Sequence, residues 1–196
     1  MGKSGIAFDF DGVICDAYDI FRGHYFDMFG HNMESEHDHG TFEFDIVDNE
    51  MFEDWWWKEI PVAIAQYQHI APPTHGSPEA LKAFYDQYGE VVIITAREPS
   101  DAVMQVTKLW CDKVLLHPYE IHFVASSSEK KKIMMREGII HYVDDRFKTA
   151  VGLSEILETS FLFNRPWNTF RLTGMDNVKR IDTLWQMKEI LDARIA

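Results

Sequence analysis

With 196 residues and a formal net charge of −13, the chain is long enough for one good core and a smaller attached subdomain. No apolar run reaches the roughly 18 residues of a membrane span, and so acidic a chain is poorly suited to gripping long nucleic acid through its phosphates. A single phosphate bound at one local site stays compatible with this charge. The imbalance is regional: ten acidic residues and no Lys or Arg fall between Arg22 and Lys58.

The start, "MGKSGIAF", shows no apolar signal region, and Ile6 stands where a myristoylation motif wants Ser or Thr. "GKS" lacks the upstream glycine and strand of a phosphate-binding loop. Cys15 and Cys111 read as free, buried thiols, which fits a reducing, cytoplasmic setting.

Five apolar runs then predict strands: "GIAFDF", "EVVIITA", "IHFVAS", "IIHYVDD" and "TSFLFN". Helix-sized gaps separate the last four. In "SPEALKAFYDQYG", Ser77 suits a cap, Pro78 a first turn and Gly89 an end. Leu81, Phe84, Tyr85 and Tyr88 recur at helical spacing on one face. This alternation predicts an α/β fold: a Rossmann-like parallel sheet of about five strands with helices on both faces. Residues 17–75 break it. "HNMESEHDHG" reads as an exposed acidic loop, "MFEDWWWKEIPVAIAQYQHI" as helical, and "APPTHGSP" as a return linker. The expected division is a core of 1–16 and 76–196 with a small, mainly helical cap of 17–75 inserted after the first strand.

Ligands in such sheets bind beyond the carboxyl ends of the strands, where Asp9, Thr95, Ser126 and Asp144 all fall. Burying clustered carboxylates without a cation is costly, so Asp9 and Asp11, with Asp144 and Asp145, call for one. Adjacent hard carboxylates are what Mg²⁺ asks for. Of the consecutive Lys130, Lys131 and Lys132, Lys130 shares a helix face with Ile133, Met134 and Glu137 and is the favoured inward lysine.

"DFDGV", the Thr of "ITAR", a lysine and "VDDR", in this order at strand ends, resemble the four motifs of the haloacid-dehalogenase-like phosphohydrolase superfamily. Together with the cap position and "FLFNRPWN", they look closest to the 5′(3′)-deoxyribonucleotidases and their phage and bacterial relatives; "ITAR" departs from the Thr-Ser-Pro type of those enzymes. The resemblance implies a Mg²⁺-dependent phosphatase for a small phosphate ester, most simply a nucleoside monophosphate. A sugar phosphate, another metabolite or a nucleic-acid end is the alternative substrate, and a non-catalytic binding protein the alternative class. Asp9 would be the nucleophile and Asp11 the general acid–base. Asp9, the Asp11 carbonyl and Asp144 would hold the metal, with Asp145 assisting. Thr95, Lys130 and the main chain near Phe10 and Ala96 would bind phosphate. Arg97 could touch phosphate or pair with a neighbouring acid, as could Arg146. Phe21, Tyr25 and Phe29, at i, i+4 and i+8 on one helix face, are the first choice for substrate contact in the cap, and Trp55 to Trp57 could add a stacking surface. Among His24, His31, His37 and His39 no tight metal motif is present, and a solvated loop is the simpler reading. Asn164 and Asn168 could brace the acidic pair, or belong to a turn started by Pro166. Relatives often form homodimers.

Overall fold

The computed structural model describes residues 5–30, 49–169 and 171–194, with the backbone alone for 49–57 and 127. Six parallel strands form one sheet: β1 (Ile6–Phe8), β2 (Val92–Thr95), β3 (Glu120–Phe123), β4 (His141–Asp144), β5 (Thr159–Phe163) and β6 (Val178–Ile181). Their order is β3-β2-β1-β4-β5-β6, the doubly wound order in which the chain reverses direction across the sheet beside β1. The five expected strands are all present. The sixth, "VKRI", went unread because it is an edge strand of four residues whose centre is charged and part-exposed.

Both faces of the sheet are covered, and the side-chain period of two sorts residues between them. Phe8, Ile93, Val143 and Phe161 pack with α3 (Ser77–Tyr88), α4 (Asp101–Val114) and α7 (Leu184–Asp192). Ala7, Val92, Ile94 and Tyr142 pack with Met134 of α5 (Ser127–Glu137) and Leu153 of α6 (Phe147–Leu153). Helix α3 behaves as its pattern predicts, with Leu81 and Phe84 buried. Its cap differs: Gly76, in the left-handed region at φ 71°, takes the N-cap position, and the Ser77 hydroxyl instead donates to the Ile14 carbonyl at 2.9 Å. The reason is tertiary, since Ser77 is needed to tie the helix to the loop after β1.

Between β1 and α3 lie α1 (Tyr18–Phe29), α2 (Asn49–Tyr67) and a short 3-10 turn, Gln68–Ile70. Phe21, Tyr25, Ile60 and Ile64 from this segment belong to the same continuous core as Phe10, Val103 and Trp110. Its return strand runs beside the loop after β1. Asp16 donates its amide to the Pro72 carbonyl, Thr74 to that of Ile14, and the Trp110 indole to that of Ala71. Among the described residues, no helix is long and apolar enough to cross a membrane.

Candidate active site

The alternation that places Ala7 and Tyr142 on the α5 face continues into Asp9 and Asp144, one residue past β1 and at the end of β4. The Asp9 amide still donates to the Val143 carbonyl at 2.9 Å, so the two carboxylates are level across adjacent strands. Lys130 reaches them from α5. Its ammonium donates to Asp9 Oδ1 (2.9 Å), Asp144 Oδ2 (2.8 Å) and the Tyr142 hydroxyl (2.8 Å), which uses all three of its N–H bonds. Lys130 is 2% exposed, whereas Lys131 and Lys132 lie outward, as expected for neighbours about 100° apart on a helix. Helix α5 is set in place by Ser126, whose side chain accepts the amide of Glu129, while Glu129 accepts that of Ala125.

A third carboxylate completes the cluster. Asp9, Asp144 and Asp145 are all buried and each presents an oxygen within 4.8 Å of the others. Asp145 is held by Trp167, whose indole donates to its Oδ2 at 2.9 Å, and by Asn168, whose amide donates to its carbonyl at 2.6 Å. Asn168 therefore braces the acidic pair. Asn164 does not: it joins Asp182 and Arg180 near the end of β6. Gly12 is required where Asp145 meets the loop after β1. It sits at φ 73°, and a Cβ there would fall on the Asp145 carboxylate. Arg165 closes the other side by donating to the Gly12 carbonyl (2.7 Å) and the Thr74 hydroxyl (3.0 Å).

One lysine does not balance three buried acids. Burial pushes the Asp9 carboxyl up to about 7; the Lys130 charge opposes this and the Asp144 charge adds to it. Asp145 is raised well above the carboxylate range by burial and by the charges of Asp144 and Asp9. Burial by itself would lower the Lys130 ammonium, but Asp144 and Asp9 outweigh it and hold it above its ordinary value. Three hard oxygen donors carrying surplus negative charge fit a small divalent cation. Asp11 is not among the clustered carboxylates, because its side chain turns to Arg97.

Thr95, at the end of β2, is 1% exposed and its hydroxyl is buried without a hydrogen-bond partner. Ala96 follows it and is exposed. Two expectations come out differently, that for Arg97 and that for Phe21 and Tyr25. The Arg97 guanidinium is taken by Asp11 and Thr107, so of the two sequence readings it follows pairing with an acid. Phe21 and Tyr25 are 3% and 1% exposed and pack in the core, with Tyr25 against Phe29 at 4.6 Å; they are packing residues because their face is covered by the rest of the molecule. The Phe10 ring is fully buried between Arg97 and Trp110, leaving only its main chain for a ligand. His24 lies 3.7 Å from Glu59. His31, His37 and His39 lie outside the described residues, as do the side chains of Trp55, Trp56 and Trp57.

The sequence reasoning missed Tyr142, Arg165 and Trp167. Tyr142 looked like an ordinary strand residue. For Trp167 and Arg165 the signal was present, in the polar and aromatic mixture of "FNRPWN" directly after a core strand.

Solved structures covering nearly the whole chain share this architecture. An HAD phosphatase from Thermococcus onnurineus superposes with a TM-score of 0.58 at 16% identity, covering 97% of this chain and 98% of its own. The fold is that of the haloacid-dehalogenase-like hydrolases. A hydrolase from Pseudomonas syringae has a TM-score of 0.60 at 12% identity, with 98% and 99% coverage. An HAD-superfamily hydrolase from Ehrlichia chaffeensis gives 0.57 at 11% identity, with both chains covered in full. No protein-family model and no curated protein sequence matches the chain.

Proposed function

We propose that the chain is a Mg²⁺-dependent phosphatase that hydrolyses a small phosphate monoester through an aspartyl-phosphate on Asp9. The observation that carries this reading is the buried acid cluster at the carboxyl edge of the sheet: Asp9, Asp144 and Asp145 together, with Lys130 paired to the first two. Asp9 and Asp144, with Asp145, are the side chains that would hold the metal, and the Asp11 carbonyl is the main-chain candidate. Bound there, the ion would neutralise the phosphoryl oxygens and let the acids ionise.

The residues divide the work as follows. An Asp9 oxygen attacks phosphorus, the ester P–O bond breaks, and its electron pair leaves with the alcohol oxygen. Asp11, two residues on and 24% exposed at its side chain, takes up a proton from solvent on its open edge and passes it to that oxygen as the bond breaks. It then takes one from water as the water oxygen bonds to phosphorus and the bond to Asp9 breaks. Thr95 offers its unpartnered hydroxyl, and the main chain at Phe10 and Ala96 its amides, to the phosphoryl group. Lys130 holds Asp9 against α5 and sets its charge against the phosphoryl group.

A nucleoside monophosphate is the substrate favoured by the motif resemblance. A sugar phosphate is the second reading, supported by the burial of Phe21 and Tyr25, which removes the aromatic face first expected to stack a base. Phosphate release from a panel of nucleoside monophosphates and sugar phosphates, with Mg²⁺ and with EDTA, tests both. Release from neither class with Mg²⁺ present would overturn the phosphatase reading.

A further inference from the structure

Arg97 is a fully buried arginine whose contacts are all internal. It follows the strand-end Thr95 and is 3% exposed. Its Nε donates to Asp11 Oδ2 at 2.8 Å and its Nη2 to Asp11 Oδ1 at 2.7 Å, a two-pronged pairing that fixes the plane of the carboxylate as well as its position. Its Nη1 donates to the Thr107 hydroxyl of α4 at 2.8 Å. The guanidinium lies 4.4 Å over the Phe10 ring, which meets Trp110 edge-on at 5.2 Å. Strand β2, helix α4 and the loop after β1 therefore all contribute to holding one side chain.

The consequence falls on Asp11. A carboxylate has about four lone-pair sites. The guanidinium takes one on each oxygen from the inner side, leaving one on each for the outer side, where Asp11 is open to solvent. A lone carboxylate on a turn rotates about its χ angles; this one cannot without breaking two charge-assisted bonds.

We infer that Arg97 is a positioning residue for proton transfer: it locks the Asp11 carboxylate so that its free edge meets the leaving oxygen of the substrate. The inference rests on the phosphatase reading and assigns Arg97 no contact with phosphate. The proton moved is taken up from solvent on the open edge of Asp11 and passed to the alcohol oxygen as the P–O bond breaks; in the second half Asp11 takes one from the attacking water.

The test separates proton transfer from binding. First-turnover release of the leaving group is measured for an alkyl phosphate, whose alkoxide needs a proton, and for p-nitrophenyl phosphate, whose phenolate needs little help. Arg97→Met should slow the alkyl ester by about 100-fold, in the range expected when general acid catalysis is lost. The aryl ester should lose less than about tenfold, and KM should move by less than about threefold for both. Arg97→Lys, which keeps the charge but not the fork, should fall in between. Thr107→Val should show the same alkyl-over-aryl bias at a smaller scale; if Arg97→Met does not fold, these two variants decide. Equal losses on both esters would mean a structural role and overturn the inference. So would a raised KM with kcat kept, which would place Arg97 on the phosphate. The phosphatase reading fails differently, by inactivity of the native protein with Mg²⁺ on every ester tried.

Discussion

Two charged assemblies meet in the loop after β1, one through Asp9 and the other through Asp11, and they are built on opposite terms. Asp11 and Arg97 form a balanced pair, one acid to one guanidinium, with each group oriented by the other. Asp9, Asp144 and Asp145 form an unbalanced cluster in which a single buried ammonium serves two acids and the third is held by an indole. Balance fixes position. Imbalance stores electrostatic cost that a further cation would relieve, and the raised carboxyl groups of Asp9 and Asp145 show where that cost lies.

The contrast can be tested most severely at the nucleophile. Asp9→Asn should lower phosphate release by about four orders of magnitude or more, since the group attacking phosphorus is gone. Near-native turnover in that variant would refute the assignment. Next comes the cation itself. Lys130→Met leaves Asp9 and Asp144 buried without their partner, a change expected to cost about 3–5 kcal/mol of unfolding free energy in EDTA. Added Mg²⁺ should restore most of that loss, whereas a loss of stability in Arg97→Met should not respond to Mg²⁺. Chemical denaturation with and without the metal reads the difference, and equal responses would erase the distinction between the two assemblies.

Trp167→Phe removes one hydrogen bond behind Asp145 while keeping the stack on Tyr18, whose ring lies 4.7 Å away. Calorimetric Mg²⁺ affinity should weaken by about 10-fold to 100-fold, the usual effect of losing a partner of a ligating group. An unchanged affinity would remove Asp145 from the metal site.

The metal-free fold should also depend on pH. Asp9 titrates at about 7 in the fold, against 3.8 for the free group. Between those values the metal-free fold holds a proton that the unfolded chain has released. Its stability should therefore fall as pH rises through that window. Mg²⁺, by favouring the ionised form, should release a proton from Asp9 when it binds at about pH 6. Melting curves in EDTA and titration in buffers of different ionisation heat check both. A rise in EDTA stability over that window would contradict the burial of Asp9.

Much of the molecule was readable in advance because its signals are local. Strand and helix periods placed five of the six strands and α3. The helical period also picked Lys130 from three neighbouring lysines, because that one has Ile133, the buried Met134 and Glu137 at i+3, i+4 and i+7 on its face. Where the reading went astray, it lacked a partner that arrives from elsewhere. The spacing of Phe21 and Tyr25 correctly marked one helix face, but spacing cannot tell a face that meets the core from one that meets a ligand. Arg97 was equally open between phosphate and acid until the fold brought Asp11 to it across 86 residues of chain.

Sequence alone determined the order of strands and helices, the acids at strand ends and the expectation that a cation belongs among them. Those follow from periodicity and from the cost of burying charge. Tertiary structure decided which cation sits where: Lys130 between Asp9 and Asp144, Arg97 on Asp11, Trp167 behind Asp145. Hydrogen bonds at 2.7–2.9 Å between residues far apart in the chain exist only once the sheet has brought its strand ends to one edge.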